Sequence, residues 1–349
     1  MSKALIAMSG GVDSSVAAYL CIKDGYECMG ATMTLFSPDN DSSCCSLKDI
    51  EDARSVADRL GIEYNIFNYK DDFKKEVIER FIRAYELGAT PNPCIDCNRY
   101  IKFNRFYNKM KELGFDYIVT GHYARIEFDG KRYILKKALD ESKDQSYVLY
   151  SLSQEQLEHT LFPLGGLTKE QARKIAEEND FINADKHDSQ DICFVPDGDY
   201  AAFIERHTGK NYPYGDFIDK QGKVLGEHKG IIRYTIGQRK GLGLALPAPM
   251  YVCEKDIKNN KVILCSNDEL FSSELYATDL NWIAFETPPQ SFKANAKIRY
   301  NQKEQPATVI VVDENKIKIV FDAPQRAISK GQAVVLYDGD TVIGGGTII

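Results

Sequence analysis

Two stretches of this chain carry side chains at spacings suited to covalent chemistry. Near the N-terminus, Ser9-Gly10-Gly11-Val12-Asp13-Ser14-Ser15 puts two glycines and three hydroxyls into seven residues. Glycines let the backbone approach an anion, successive N–H groups point into the turn, and a following helix presents its positive end. Phosphate is the guest such a turn suits. Asp13 repels a bare phosphate unless magnesium stands between them, so the pattern points to a nucleotide polyphosphate with Mg2+. A turn serving only close strand–helix packing is the plainer reading, and the motif's length and placement weigh against it. No G-x-x-x-x-G-K-[ST] occurs, and Gly241-Leu242-Gly243 lacks the third glycine of a dinucleotide fingerprint. Kinase-type phosphoryl transfer and hydride transfer are therefore disfavoured.

The second stretch is Asn92-Pro93-Cys94-Ile95-Asp96-Cys97-Asn98, ahead of a basic segment. A thiolate near a helix start is stabilised by the helix dipole, and Arg99 and Lys102 act in the same sense. Cys193 lies far away, in Asp188-Ser189-Gln190-Asp191-Ile192-Cys193-Phe194, beside a predicted strand end. A C-x-x-C pair suits zinc, a redox disulfide or iron–sulfur ligation. Zinc would want a second pair, and adjacent Cys44-Cys45 supply an awkward one. Three thiols with an open fourth position suit a four-iron cluster that offers one iron to a sulfur donor. Cys21, Cys28, Cys253 and Cys265 read as small buried hydrophobes.

The elements that must position these groups follow from the 349 residues. Two or three domains are expected at that length. A hydrophobic content of 43% with 27% charged residues is that of a globular protein. No apolar run is long enough to span a bilayer and no secretory signal is evident, so a cytoplasmic address without membrane attachment is expected. A net charge of −7 argues against indiscriminate nucleic-acid binding. Ala4–Met8 reads as a strand, Asp13–Leu20 as a helix, Cys28–Leu35 as a strand, Ser46–Leu60 as an amphipathic helix and Glu63–Phe67 as a strand. Helices over Asp71–Leu87 and Asn98–Leu113 precede a strand at Phe115–Thr120. This alternation predicts an α/β doubly wound parallel sheet. Arg125–Ala138 reads as a hairpin elaborating the surface, with helices at Thr168–Glu178 and Tyr200–His207. Beyond residue 215, β-branched runs recur at Gly230–Ile236, Met250–Glu254, Val262–Cys265, Ala307–Val312, Lys316–Phe321 and Ala333–Tyr337. They predict a small central β-rich domain and a C-terminal antiparallel barrel. The expected domains are 1–198, 199–272 and 273–349.

Ser9–Ser15 resembles the SGGXDS signature of the PP-loop ATP pyrophosphatases, which adenylate a carbonyl oxygen and release pyrophosphate. NPCIDCNRYIKF, TGHYAR (120–125), KDQSYVLY (143–150), FPLG (162–165), DSQDICF and IGQRKGLG (236–243) narrow the likeness to the tRNA-specific 2-thiouridylase family. The resemblance implies 2-thiolation of the wobble uridine of tRNA with ATP and Mg2+. Sulfur would come from a donor protein, a cysteine desulfurase or relay, or from inorganic sulfide. It places the nucleophile on Cys97 and the persulfide carrier on Cys193, the two able to form a disulfide in turnover. ATP contacts map to Ala7, Met8, Ser9, Gly10, Gly11, Val12, Asp13, Ser14, Met33 and Gly121. Asn92, Pro93 and Cys94 map to the target base. His122, Lys143, Asp144, Gln145, Arg299, Tyr300 and Gln332 map to tRNA. Much of the family has aspartate where this chain has Cys94, so a [4Fe-4S] site on Cys94, Cys97 and Cys193 stays open beside the persulfide route.

Two basic stretches are candidate phosphate contacts: Arg99, Lys102, Arg105, Lys109 and Lys111 on one predicted helix, and Lys223–Lys240 with five cations and Glu227. A solvated helix face is the alternative for the first. Tyr100, Phe103, Tyr107 and Tyr123 are candidates to stack a flipped base. Two rival functions are another PP-loop ligase or amidotransferase acting on a small acid, and an RNA-binding or iron–sulfur accessory protein with an inactive ATP loop.

Overall fold

A computed structural model describes residues 1–36, 46–186 and 192–349. Cys44, Cys45, His187 and the D-S-Q-D run ahead of Ile192 lie outside these. Strand β1 (Lys3–Ala7) has Ala4, Leu5 and Ile6 fully buried on both faces, as a central parallel strand requires. It pairs in parallel with β2 (Glu27–Thr34) and with β4 (Tyr117–Val119), in registers Lys3↔Glu27 and Ala4↔Tyr117. With β3 (Glu63–Asn68) and β7 (Thr160–Leu161) the order is β3-β2-β1-β4-β7. The order reverses between β1 and β4, so their carboxyl ends frame the crevice where open α/β sheets bind ligands. Helices α1 (Val12–Lys23) and α2 (Leu47–Leu60) cross between strands. Ser46 opens α2 through a capping box with Asp49, and Gly61 closes it at φ 68°.

Helix α3 runs through Lys70–Phe73, Lys74–Ile78 and Glu79–Glu86. Helix α4 runs through Pro93–Asp96, Cys97–Phe106 and Tyr107–Glu112, its middle wound as a π-helix. A four-stranded sheet, β10 (Tyr251–Asp256), β11 (Lys261–Cys265), β8 (Gly215–Asp219) and β9 (Val224–His228), follows. The last sheet is ordered β12 (Phe271–Trp282), β15 (Lys316–Arg326), β14 (Gln305–Asp313), β13 (Ser291–Lys297), β16 (Ala333–Asp338) and β17 (Thr341–Ile348). Antiparallel pairing of β12 with β17 closes it into a barrel around Val309, Ile317, Ile319, Val334 and Leu336.

Two expectations are corrected. The hairpin β5 (Ala124–Phe128) and β6 (Tyr133–Lys137) is no surface elaboration: Lys136 pairs with Thr341 of β17. Arg125 meets Asp340 at 2.7 Å and Lys137 meets Glu304 at 2.8 Å, so cations on the hairpin match carboxylates on the barrel. Gly230–Ile236 is not a strand. Gly230 has φ 104° and Ile231–Arg233 is a 3-10 turn that buries the consecutive Ile231 and Ile232. Among the described residues no helix is long and apolar enough to cross a membrane.

Candidate active site

The glycine turn sits at the end of β1, where the sheet topology demands a ligand. Gly11 precedes α1 and no side chain caps that helix, which leaves its leading amides facing the turn. Ser14 Oγ accepts from Ser9 N at 3.1 Å and donates to Gly11 O at 2.9 Å, so the hydroxyls shape the turn. Gly10 lies at φ 73°, and a Cβ there would collide with the Asp49 carbonyl. Gly121 closes the other wall; a Cβ on it would stand 2.8 Å from Asp13 C and 2.9 Å from Ser14 N. Met8 is buried, and Ala7 and Met33 pack against the main core beside the turn.

Four side chains outside the motif hold it. Lys186 Nζ donates to Gly10 O (3.0 Å), Asp49 (2.6 Å) and Asp52 (2.7 Å). Asn183 Nδ2 donates to Gly10 O (3.0 Å) and Ser15 Oγ (2.9 Å). Lys169 Nζ reaches both Asp13 oxygens at 2.8 Å, and Tyr123 donates to Asp13 Oδ1 at 2.8 Å. Asp13 therefore carries its own counter-ion. Among the described residues no group of three His, Cys, Asp or Glu gathers as metal ligands. The side chains at the turn do not fit a protein-held magnesium.

Asn92 Oδ1 accepts from Cys94 N at 3.1 Å and Pro93 takes the first position of α4, so Asn92-Pro93 is the start signal of the helix that carries both thiols. Cys94 is exposed, whereas Cys97 is half-buried. Cys193, equally half-buried, sits in a turn between Ile192 and Val195, not at a strand end. Cys97, Cys193 and Ala7 all pack against one hydrophobic cluster, which includes Ile95, Ile101 and Phe194. Phe194 anchors the Cys193 turn edge-on to Phe73 and Phe81 at 5.8 and 5.2 Å. Among the described residues the three thiols are not gathered as a metal-holding group. The four cysteines expected to be small hydrophobes divide: Cys21 and Cys265 are buried, Cys28 and Cys253 partly so, with burial raising the Cys21 thiol to about 12 and Cys28 to about 11.

Family models match residues 2–197 (tRNA methyl transferase HUP domain), 201–266 (tRNA methyl transferase PRC-barrel domain) and 272–348 (Aminomethyltransferase beta-barrel domain). The chain is 51% identical to the tRNA-specific 2-thiouridylase MnmA of Clostridioides difficile, over 99% of this chain and 98% of that one. It is 51% identical to the MnmA of Acetivibrio thermocellus, over 99% of both chains. The chain belongs to the MnmA family of tRNA-specific 2-thiouridylases. Among solved structures it is similar to the U34-tRNA thiolase NcsA from Methanococcus maripaludis with its [4Fe-4S] cluster. That match is 19% identical, covers 59% of this chain and 67% of that one, and has a TM-score of 0.36, too low to argue from.

Several positions expected to meet tRNA are engaged inside this protein. His122 is buried, bonded through Nδ1 to Thr120 at 2.7 Å and approached at Nε2 by Lys102 at 3.5 Å; burial and that ammonium hold it neutral. Asp144 accepts from Ala138 N and Ser146, and Gln145 from Tyr123 N, so both fix their own loop. Gln332 donates to Thr90 O at 2.7 Å, and Tyr300 to Asp144 O at 3.3 Å. These bonds bring the barrel to the start of α4. Lys143, in the loop ahead of Asp144, is half-buried.

The basic face of α4 is largely ion-paired. Arg99 is paired bidentately with Asp279 of β12, Arg105 with Asp72 (2.9 Å), Lys109 with Glu112 (2.6 Å) and Lys111 with Glu155 (2.9 Å), while Lys102 faces His122. Four of the five cations thus have a carboxylate beside them, as on a solvated, ion-paired helix face. Of the aromatics, Phe103, Tyr107 and Tyr123 are buried, and Tyr100 lies under Arg80, 4.6 Å from its ring centre.

Asp96, between the two thiols, is nearly enclosed near Arg80, and burial raises its carboxyl to about 6, with Arg80 and Arg99 opposing. A carboxyl whose folded pKa exceeds its ordinary 3.8 binds its proton more tightly when folded. Stability then falls as pH rises from about 4 to 6 and stays lower above. Asp96→Asn is expected to stabilise the protein by about 1 kcal/mol at pH 7.5 and not at all at pH 4. Thermal unfolding at both values checks it; equal destabilisation at both would show that the Arg80 contact dominates.

Proposed function

We propose that this protein thiolates C2 of the wobble uridine of tRNA at the expense of ATP. Uridine O2 attacks the α-phosphorus, the bond to the β-phosphate oxygen breaks and pyrophosphate leaves. The poor leaving oxygen becomes AMP. Cys193 carries the sulfur as a persulfide charged by a cysteine desulfurase or relay protein. Cys97 thiolate attacks Cys193 Sγ, the S–S bond of the persulfide breaks, and hydrosulfide departs to C2, expelling AMP. A Cys97–Cys193 disulfide remains, which a cellular dithiol must reduce before the next turnover. The observation that carries this reading is the packing of Ala7, Cys97 and Cys193 against one cluster, with Asn183 and Lys186 tying the ATP turn to the segment that leads into Cys193.

The test is a tRNA thiolation assay with ATP, run anaerobically, with AMP, pyrophosphate and protein-bound iron measured. Thiolation without iron supports the persulfide route. Pyrophosphate release driven by a small acid instead of tRNA would overturn it. Cys94→Ser separates the routes further: it is expected to retain at least a tenth of the activity, since its exposed thiol enters no step, whereas a three-thiol cluster would be lost.

A further inference from the structure

Arg239 and Lys240, at the end of the second basic stretch, stand beside two further cations. Arg299, just past β13, and Arg326, at the end of β15, flank Ile236-Gly237, where I-G-Q-R-K-G-L-G begins. Arg299 Nη2 donates to Ile236 O (3.3 Å), Ala327 O (2.8 Å) and Ser329 Oγ (2.8 Å), while its Nε is buried without a partner. Arg326 Nε donates to Asn267 Oδ1 at 3.0 Å and its guanidinium lies over Tyr251, 5.0 Å from the ring centre. Its Nη1 stands 3.4 Å from where a Cβ on Gly237 would sit. Among the described residues neither guanidinium has a carboxylate partner, and nor do the exposed Arg239 and Lys240 that follow in the same segment. Arg99, Arg105, Arg125 and Arg233 each have one. Burial first, and then Arg326, push Arg299 below its ordinary value. In a chain of net charge −7, guanidiniums left together without counter-ions are a place prepared for an anion.

We infer that Arg299, Arg326 and the Arg239-Lys240 segment form a clamp on the RNA phosphodiester backbone beside the target nucleotide. Guanidinium geometry suits phosphate oxygens. The position suits RNA rather than a free anion. From Arg326 the chain runs through Ala327 and Ser329 to Lys330, whose carbonyl accepts from Thr90 N at 2.8 Å, and to Gln332, which bonds Thr90 O. Thr90 lies two residues before Asn92, so clamp and thiol helix share one support. The inference rests on the tRNA reading above and adds Arg326, Arg239 and Lys240 to it.

The test is tRNA affinity measured across salt for the wild type, Arg326→Ala, Arg326→Lys and the double Arg239→Ala/Lys240→Ala. Arg326→Ala is expected to weaken binding about tenfold and to lower the magnitude of the salt slope by about one, the double variant to lower it by about two, with Arg326→Lys keeping the slope. Wild-type affinity and slope in both alanine variants would overturn the clamp. So would a lower Tm for Arg326→Ala with an unchanged slope, which marks a tie between domains only. Inorganic phosphate binding that disappears in Arg326→Ala while tRNA affinity and slope persist would mark a small-anion site and overturn it too. If the wild type binds no tRNA, the thiolation reading itself falls.

Discussion

Cys193→Ser is expected to lower tRNA thiolation by about a thousandfold or more while tRNA-dependent pyrophosphate release continues, because adenylation needs the glycine turn and sulfur delivery needs the thiol. Serine is nearly isosteric, and Cys193 is held by packing against the Phe194 cluster, so the fold should survive. Cys97→Ser makes the complementary prediction. The persulfide can still be charged on Cys193 but no thiolate opens it, so the variant should accumulate protein heavier by one sulfur atom and thiolate as poorly. Mass spectrometry after incubation with a cysteine desulfurase and cysteine reads that species directly. The outcome that sinks the proposal is Cys193→Ser that still thiolates. Cys97→Ser that thiolates at the wild-type rate would remove Cys97 from the sulfur path and leave Cys193 in it.

Local chemistry was the legible part of this chain. The strand–turn–helix setting of Ser9–Ser15 and the alternation that builds the parallel sheet can be read from neighbouring residues, since each depends on contacts a few positions apart. The closed barrel was legible in class but not in strand count. Phe271–Trp282 has exposed and half-buried residues out of alternation, with register shifts along it, so no period marks the strand. The ion pairing on the basic face of α4 was hidden for a related reason. A run of cations reports charge, and only the fold reports that Asp72, Glu155 and Asp279 stand opposite. Lys169, Asn183 and Lys186 escaped notice because their partners lie 134 to 176 residues away. The one available signal was that Asn183 and Lys186 immediately precede the D-S-Q-D run leading to Cys193.

Gly10→Ala is expected to abolish ATP use, with pyrophosphate release falling by about a thousandfold and tRNA binding retained. Two costs combine. An alanine at φ 73° adopts the left-handed region at about 1 kcal/mol, and its Cβ drives into the Asp49 backbone, which cannot swing aside as a flexible side chain would. Asp49 is fixed by Lys186, which also bonds the Gly10 carbonyl, so moving α2 away breaks the bond that shapes the turn. Gly25→Ala is the control: its φ is 86° and nothing lies within 4 Å of the added methyl, so it incurs the backbone cost alone, about 1 kcal/mol, without loss of activity. Lys186→Met distinguishes the two contributions to the turn, since it removes the tether but adds no clash. It should reduce ATP use less than Gly10→Ala does while destabilising the fold through Asp49 and Asp52, left without their ammonium. If Gly10→Ala and Gly25→Ala were to lower Tm equally and both release pyrophosphate at the wild-type rate, the turn would be a packing device and its phosphate-holding role would be lost.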